Sequence, residues 1–451
     1  MRFNRSTLAT GLILAMAMPF GAQATNGYMS HGFGTKSKGM AGAGSALPQD
    51  AMISASNVAG VVWLSEQRMD IGASLFSPHR NYTQHASESG IPGNPPIPIG
   101  SDADFTGTVD SDKELFLIPH FAYSRPLDDV SAIGVSLYGN GGMNTTYRSE
   151  DTTMRLGTYG GAMAQPSDSN TGVDLSQLAL NLNYSRKLTE DFSVGAGLIL
   201  AYQSFKAKGL SSLGSLAADG NPDNLSSRGR EGVFGWGLQV GALWQLNERL
   251  SLGAAYQTQV DFERFDKYSD LFAEDGDLDA PALVNIGLAF KARPDLTLAF
   301  DVQHIWYGDV DALGNDMTKN IMLCMQGYTA HCLGGSQGIG FGWRDMTVYK
   351  FGAQWAMRPD LTLRAGYSYG KQPVPADGVL FNVVAPAVIE HHFTLGLTKE
   401  LSKRTEISLA AMYAPKSDLD CGCLLPLSGG PESINIAMDQ WELELSFGLR
   451  F

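Results

Sequence analysis

From Trp441 to Phe451 the chain alternates without a break. Trp441, Leu443, Leu445, Phe447, Leu449 and Phe451 take the odd positions, and Glu442, Glu444, Ser446, Gly448 and Arg450 lie between them. Successive side chains of a strand point to opposite faces, so one face is wholly apolar with aromatics at both ends and the other is polar. The pattern recurs at Leu178–Tyr184, Val194–Tyr202, Phe234–Trp244, Val284–Phe290, Phe351–Met357 and Leu361–Tyr367. Between these apolar positions sit glycines, amides and charges, among them Lys291, Lys350, Arg358 and Arg364. Unpaired Lys and Arg are poor core residues for a soluble sandwich, but cost little facing a polar lumen.

That contrast selects a membrane barrel, with the apolar face in lipid and the aromatics at the interfaces. A final strand ending in phenylalanine resembles the terminal strand of bacterial outer-membrane proteins. Short turns fall near 125–129, 186–191, 247–249, 293–295, 358–360 and 400–404. Long Gly/Ser/Pro/Asp-rich segments fall near 80–111, 148–171, 208–230, 264–280, 309–342, 372–387 and 415–436. Six turns and seven loops require fourteen strands, an even number that puts both barrel ends in the periplasm and the long loops outside. The strands near 66–78 and 112–125 are the least regular, and Leu115–Phe121 shows no clean alternation.

Composition agrees. Glycine numbers 52 of 451 residues, above the usual ~7%. Charged residues are 17%, below the usual ~25%. The formal charge of −14 lacks the basic field of a nucleic-acid binder. Arg2 and Arg5, the apolar stretch 8–20 and Ala22-Gln23-Ala24 form an export signal, residues 1–24, with cleavage expected after Ala24. Its removal takes the charge to −16, because two arginines and no acids are lost. Past residue 24 no apolar run is long enough for a helical span.

Residues 25–64 lack the strand pattern. Small residues dominate from Gly39 to Ala46, followed by a short helical stretch around 49–56. A plug threaded through a lumen favours small residues, because backbones must approach closely. A periplasmic tail is the bland alternative. Here Gly27-Tyr28, then His31-Gly32-Phe33-Gly34-Thr35-Lys36-Ser37-Lys38-Gly39-Met40-Ala41-Gly42-Ala43-Gly44 and Leu47-Pro48-Gln49-Asp50-Ala51, resemble the N-terminal hatch of the FadL family. Tyr138–Asn144, Gly172–Leu175 and Gly340–Met346 extend the resemblance across the chain. Where the family usually reads Asn-Pro-Ala-Gly, this chain has Asn57-Val58-Ala59-Gly60.

The resemblance implies an all-β, fourteen-stranded antiparallel transmembrane barrel over 65–451, with a hatch over 25–64. It further implies passive uptake of long-chain fatty acids or similar hydrophobic compounds through the outer membrane of a Gram-negative cell. Four parts follow from it. The capture groove corresponds to Leu210, Leu213 and Leu216 with Phe265, Leu271 and Phe272. The hatch N-terminus, Thr25, Asn26, Gly27 and Tyr28, lies near bound ligand. A kink in strand three falls on Gly139, Asn140, Gly141 and Gly142, where glycine marks a bulge or close approach, and opens a lateral exit. Arg364 and Lys350 are the candidate anchors for a carboxylate head.

Cys324, Cys332, Cys421 and Cys423 are disulfide candidates in outer loops; Cys324–Cys332 is the simplest pairing, with cross-loop pairings open. Asp275, Asp277 and Asp279 read as a solvated acidic loop rather than a Ca²⁺ site, and His391-His392 as structural. No G-x-S-x-G elbow or phosphate loop is present, so neither an enzyme, a cofactor nor a metal is expected. Expected partners are hydrophobic small molecules, outer-membrane lipid and lipopolysaccharide, and the barrel-assembly machinery, with no nucleic acid and a monomeric state. Rival readings are an aromatic or alkane hydrocarbon channel of the same family, an outer-membrane lipid hydrolase, and a phage or adhesin receptor.

Overall fold

The computed structural model describes residues 25–85, 107–148, 170–219, 222–421 and 433–451. Residues 1–24, Cys423 and parts of four outer loops lie outside them. Fourteen long strands form one antiparallel sheet: β1 Arg68–His85, β2 Phe116–Pro126, β3 Ser131–Asn144, β4 Asn170–Lys187, β5 Phe192–Lys208, β6 Glu231–Gln245 and β7 Leu250–Gln257, then β8 Leu283–Arg293, β9 Leu296–Ile305, β10 Met346–Arg358, β11 Leu361–Gly370, β12 His391–Ser402, β13 Thr405–Cys421 and β14 Ser433–Arg450. The sheet closes where β1 meets β14, in continuous register from Arg68 opposite Arg450 to His85 opposite Ser433. Three short pieces, Gly107–Asp110, Tyr147–Arg148 and Asp261–Phe262, extend it at the loop end. The fourteen-strand count and the six short turns match the expectation; β1, however, continues well past residue 78, into what the sequence reads as loop.

Alternation sets the two faces. Phe234, Trp236, Leu238 and Val240 on β6 and Phe393 and Leu395 on β12 are exposed on the outside, where hydrocarbon would cover them. Two tryptophans anchor the turn end: Trp244 Nε1 donates to Asp191 Oδ2 at 3.1 Å, and Trp355 Nε1 to Asp295 Oδ2 at 2.9 Å. Lys291 and Arg358, inward by parity, are instead exposed at this same rim. The register slips next to each residue, between Lys291 and Arg293 and between Ala356 and Arg358, which interrupts the alternation.

Residues 25–64 touch inner-face groups around nearly the whole circumference, which places them within the lumen. Asp70 on β1 accepts from Ala51 N at 2.9 Å. Ser193 on β5 accepts from Trp63 Nε1 at 2.7 Å and donates to Ala59 O at 2.9 Å. Asp301 on β9 accepts from Gly44 N and Ser45 N at 3.1 and 2.9 Å. Wall glycines let the backbones meet. A Cβ on Gly366 would lie 2.3 Å from Met40 C, and one on Gly253 2.4 Å from Ser45 O. The helix forecast around 49–56 is a 3₁₀ turn, Ala51–Ala55, capped by the Asp50 side chain.

Charge fixes the segment on the β13–β14 side. Lys38 Nζ lies 2.5 Å from Glu442 Oε1 and 2.7 Å from Glu444 Oε2, and Lys36 Nζ 2.5 Å from Glu406 Oε1. Thr35 Oγ1 donates to Glu444 at 2.8 Å, and Arg68 ties Asp70 to Glu406. All these side chains are buried, so removing one partner strands the other's charge.

Val58 occupies the first position of a second 3₁₀ turn, Val58–Trp63, behind an Asn57 cap whose side chain accepts from Ala59 N. Asn57 is extended, at φ −146 and ψ 99, the region that a following proline demands. The first helical position is also where proline is best tolerated. The cap therefore holds the turn without the family's proline.

Two outcomes are expected. Lys38→Met leaves Glu442 and Glu444 buried together without their cation, at a cost of about 3–5 kcal/mol. Limited proteolysis should then cut within 25–64 while the barrel keeps its heat-modifiable gel mobility; an uncut segment would contradict the anchoring role. Val58→Pro should assemble normally and raise stability slightly, by roughly 0.4–1 kcal/mol, read as an unchanged or higher urea midpoint.

Candidate functional site

At the loop end lies a small apolar cavity, partly open to solvent. Its walls are Leu210 and Leu213 from one loop, Leu271 and Phe272 from the next, Ala312, Leu333, Ile339, Gly340 and Phe341 from a third, and Phe381 and Val384 from a fourth. Val173 and Phe205, at the tops of β4 and β5, close its floor. No ionisable side chain lines it. Four of the six groove residues read from sequence line this cavity. Phe265 stands behind it, its ring 5.7 Å from Phe205 and 6.1 Å from Phe272. Leu216 is buried beside the third loop, its carbonyl accepting from Leu333 N at 2.8 Å.

The two further loops escaped the sequence reading because their apolar residues are scattered among turns. The Cys324–Cys332 disulfide braces one of them. Cys421 is also disulfide-bonded, and Cys423 lies outside the described residues. The acidic loop splits: Asp275 is exposed beside Arg264, whereas Asp279 accepts from Gln259 Nε2 and Phe262 N, each at 2.7 Å. Burial, and then the neighbouring Asp279 carboxylate, push Asp277 up to about 7. Among the described residues no three His, Cys, Asp or Glu side chains are grouped to hold a metal.

Phe341 links the cavity to what lies beneath. Its ring is 6.1 Å from Trp343, which is 5.1 Å from Tyr307 and 6.1 Å from Tyr28. Trp343 is fixed by donating Nε1 to Asn382 Oδ1 at 2.6 Å. The segment's first residues are held against this cluster. Tyr307 donates its hydroxyl to Asn26 O at 2.5 Å, and Thr25 Oγ1 donates to Met29 O at 2.7 Å. Gly27 has φ +67, and a Cβ there would sit 2.5 Å from the Tyr307 hydroxyl; only glycine fits. All four residues 25–28 are buried, and both polar atoms of the Asn26 amide lack a partner.

Tyr28 also touches the kink. Its carbonyl accepts from Gly142 N at 3.0 Å, and Met29 bridges to Gly141. The register of β3 on β4 slips between Gly139 and Gly141, so Asn140 is the extra residue of a bulge. On the other edge, β3 pairs with β2 only as far as Leu137 opposite Phe121. The stretches Phe116–His120 of β2 and Tyr138–Asn144 of β3 therefore face each other unpaired. Above them Asp112 N donates to Thr146 O at 2.9 Å and closes the opening. A small pocket lies in this gap, between Ile118, Pro119 and His120 on one side, Tyr138 and Gly139 on the other, and Gly32–Gly34, Lys38 and Glu444 behind.

Two prolines flag the gap in a way the sequence reading missed. Proline cannot donate to a ladder and belongs on unpaired edges. Pro119 lies within the unpaired stretch of β2, and Pro78 where β1 has no partner on its β2 side.

The two anchors read from sequence, Lys350 and Arg364, do point inward. Each is engaged by the N-terminal segment. Lys350 Nζ donates to His31 O at 3.0 Å. Arg364 donates to Gln49, Gln354 and Thr398 at 2.7–3.0 Å. Neither lines either cavity. The His391-His392 pair splits as alternation requires: His391 contacts Tyr367, and His392 is buried against Ser368 and stacks on His31 at 5.7 Å.

Comparison with known proteins bears on this arrangement. The sequence model of the family described as "Outer membrane protein transport protein (OMPP1/FadL/TodX)" matches residues 17–419. Outer membrane protein P1 of Haemophilus influenzae is 26% identical over 301 residues, 59% of this chain and 60% of that protein; the chain thus spans about 60% of the length of that relative. In fold, the chain is similar to a Pseudomonas aeruginosa FadL homologue at TM-score 0.66 and 17% identity, covering 94% of this chain and 100% of that one. It is also similar to the Pseudomonas putida toluene transporter TodX at TM-score 0.65 and 18% identity, covering 93% and 99%, and to the Ralstonia pickettii toluene transporter TbuX at 0.61 and 15%, again covering 93% and 99%. A closed fourteen-stranded barrel and a family match over most of the sequence agree: the chain belongs to the OMPP1/FadL/TodX family of outer-membrane transport proteins.

Proposed function

We propose that this protein takes up long-chain fatty acids or similar hydrophobic molecules without energy coupling, with residues 25–64 as the gate. The observation that carries the reading is the unbroken contact from the loop cavity through Phe341, Trp343 and Tyr28 to the bulge at Asn140. A hydrophobic solute leaving the polar lipopolysaccharide layer gains about 25 cal/mol per Å² of apolar surface buried in the loop cavity. That gain favours capture and opposes release, so onward movement needs a moving part.

Tyr28 is that part. A ligand passing Trp343 and Tyr307 must displace the Tyr28 ring. Displacing Tyr28 breaks its hydrogen bond to Gly142 and loosens the bulged strand beside the gap. The gap opens towards lipid, so the solute leaves sideways and never crosses a water-filled channel. Hatch residues 25–28 act as the latch, and Gly139–Gly142 as the hinge of the exit. The wholly apolar loop cavity would equally suit a neutral hydrocarbon, which is the second reading. Mass spectrometry of molecules carried by the purified protein separates the two: only neutral hydrocarbons would overturn the fatty-acid version.

Deleting Asn140 removes the extra residue and leaves Gly139 and Gly141 opposite consecutive β4 partners, Leu178 and Gln177. In cells lacking another uptake route, oleate import should fall by about tenfold or more, about 1.4 kcal/mol of added barrier, with normal barrel assembly. Import at the original rate would rule out the lateral route.

A further inference from the structure

Among the described residues, the interior of the loop half holds one guanidinium without a counter-charge. Arg80 lies on the inner face of β1, in the alternating series Phe76, Pro78, Arg80, Tyr82, opposite Met438 of β14. It is 2% exposed. Its Nη1 makes one long hydrogen bond, to Lys113 O at 3.3 Å, and its Nη2 has no partner. No described carboxylate pairs with it; the titratable group that interacts with it is the Tyr147 phenol. The other inner-wall arginines are matched: Arg68 holds Asp70 and Glu406, and Arg364 has three oxygen partners. A buried charge left unpaired is costly unless something supplies the opposite charge.

Position narrows what that something is. Arg80 O accepts from Ser111 N at 2.9 Å, and Asp112 N, one residue on, closes the top of the gap between β2 and β3. The guanidinium thus sits beside the upper rim of that gap. Its surroundings are otherwise apolar and aromatic: Phe76, Tyr82, Met438 and Tyr147 are all buried in one cluster. The Tyr82 hydroxyl, like Nη2, has no partner. A cation and a phenol donor, both unsatisfied, within an apolar cluster match an anionic head on an apolar tail. Planar guanidinium also suits a carboxylate's two oxygens.

We infer that Arg80 is the docking point for the head group of an anionic amphiphile, a carboxylate with a long apolar tail, at the entrance to the lateral gap. This inference rests on the transport reading above and sharpens its substrate class towards fatty acids and away from neutral hydrocarbons. Arg80 would then act as a specificity residue, holding the head while the tail enters the gap.

The test uses the full-length protein in non-ionic detergent. Calorimetric titration compares oleate with methyl oleate, which keeps the tail and loses the charge, and with phosphatidylglycerol as a competitor. Arg80→Met should weaken oleate on the order of ten- to a hundredfold and leave methyl oleate within about twofold, while Arg80→Lys retains part of the preference. Equal weakening of both ligands, or no change for oleate, would show a structural arginine and overturn the inference while leaving transport intact. Displacement of oleate by phosphatidylglycerol at equal concentration would assign the guanidinium to lipid head groups and overturn the fatty-acid assignment. If the unaltered protein binds neither oleate nor its ester, the transport reading fails with it.

Discussion

Hydrocarbon offers no partner to a backbone N–H or C=O, and each group left bare costs several kcal/mol. Almost everything in this molecule answers to that constraint. It forces β14 back onto β1 through a long unbroken ladder. It also makes any interruption conspicuous. The gap between β2 and β3 is tolerable because its edges are partly relieved: Pro119 removes one donor, and on β3 Gly142 donates to Tyr28 O. The same hydrogen bond that satisfies the wall thus fastens the segment inside it.

The lumen obeys a second constraint that follows from the first. A closed barrel whose outer face is apolar turns polar side chains inward, and those charges need partners once water is displaced. Residues 25–64 bring Lys36 and Lys38 to Glu406, Glu442 and Glu444, and backbone amides to Asp70 and Asp301. Glycines on both surfaces permit the contact. The unusual glycine content and the low charge are therefore two aspects of one packing problem.

Much of this was legible in the sequence because period two is a direct readout of a two-faced strand. Strand count, turns, inward Lys350 and Arg364, and the bulge at Gly139–Gly142 could all be read from local pattern. What could not be read depends on contacts between distant residues. Parity turns Lys350 and Arg364 inward, but only the folded chain shows that His31 and Gln49 are among their partners. Arg80 read as loop because it begins the Gly/Ser/Pro/Asp-rich segment near 80–111, yet β1 runs through it to His85. The loop cavity needed four loops, and spacing along the chain says nothing about which loops converge.

The salt bridges of Lys38 have a consequence for assembly. Glu442 lies 404 residues further along the chain, on β14, the strand that closes the cylinder against β1. Lys38 lacks both of its carboxylate partners until that strand is in place. A barrel without β14 would leave Lys38 buried with neither Glu442 nor Glu444, so residues 25–64 would be held by fewer ion pairs than in the closed cylinder.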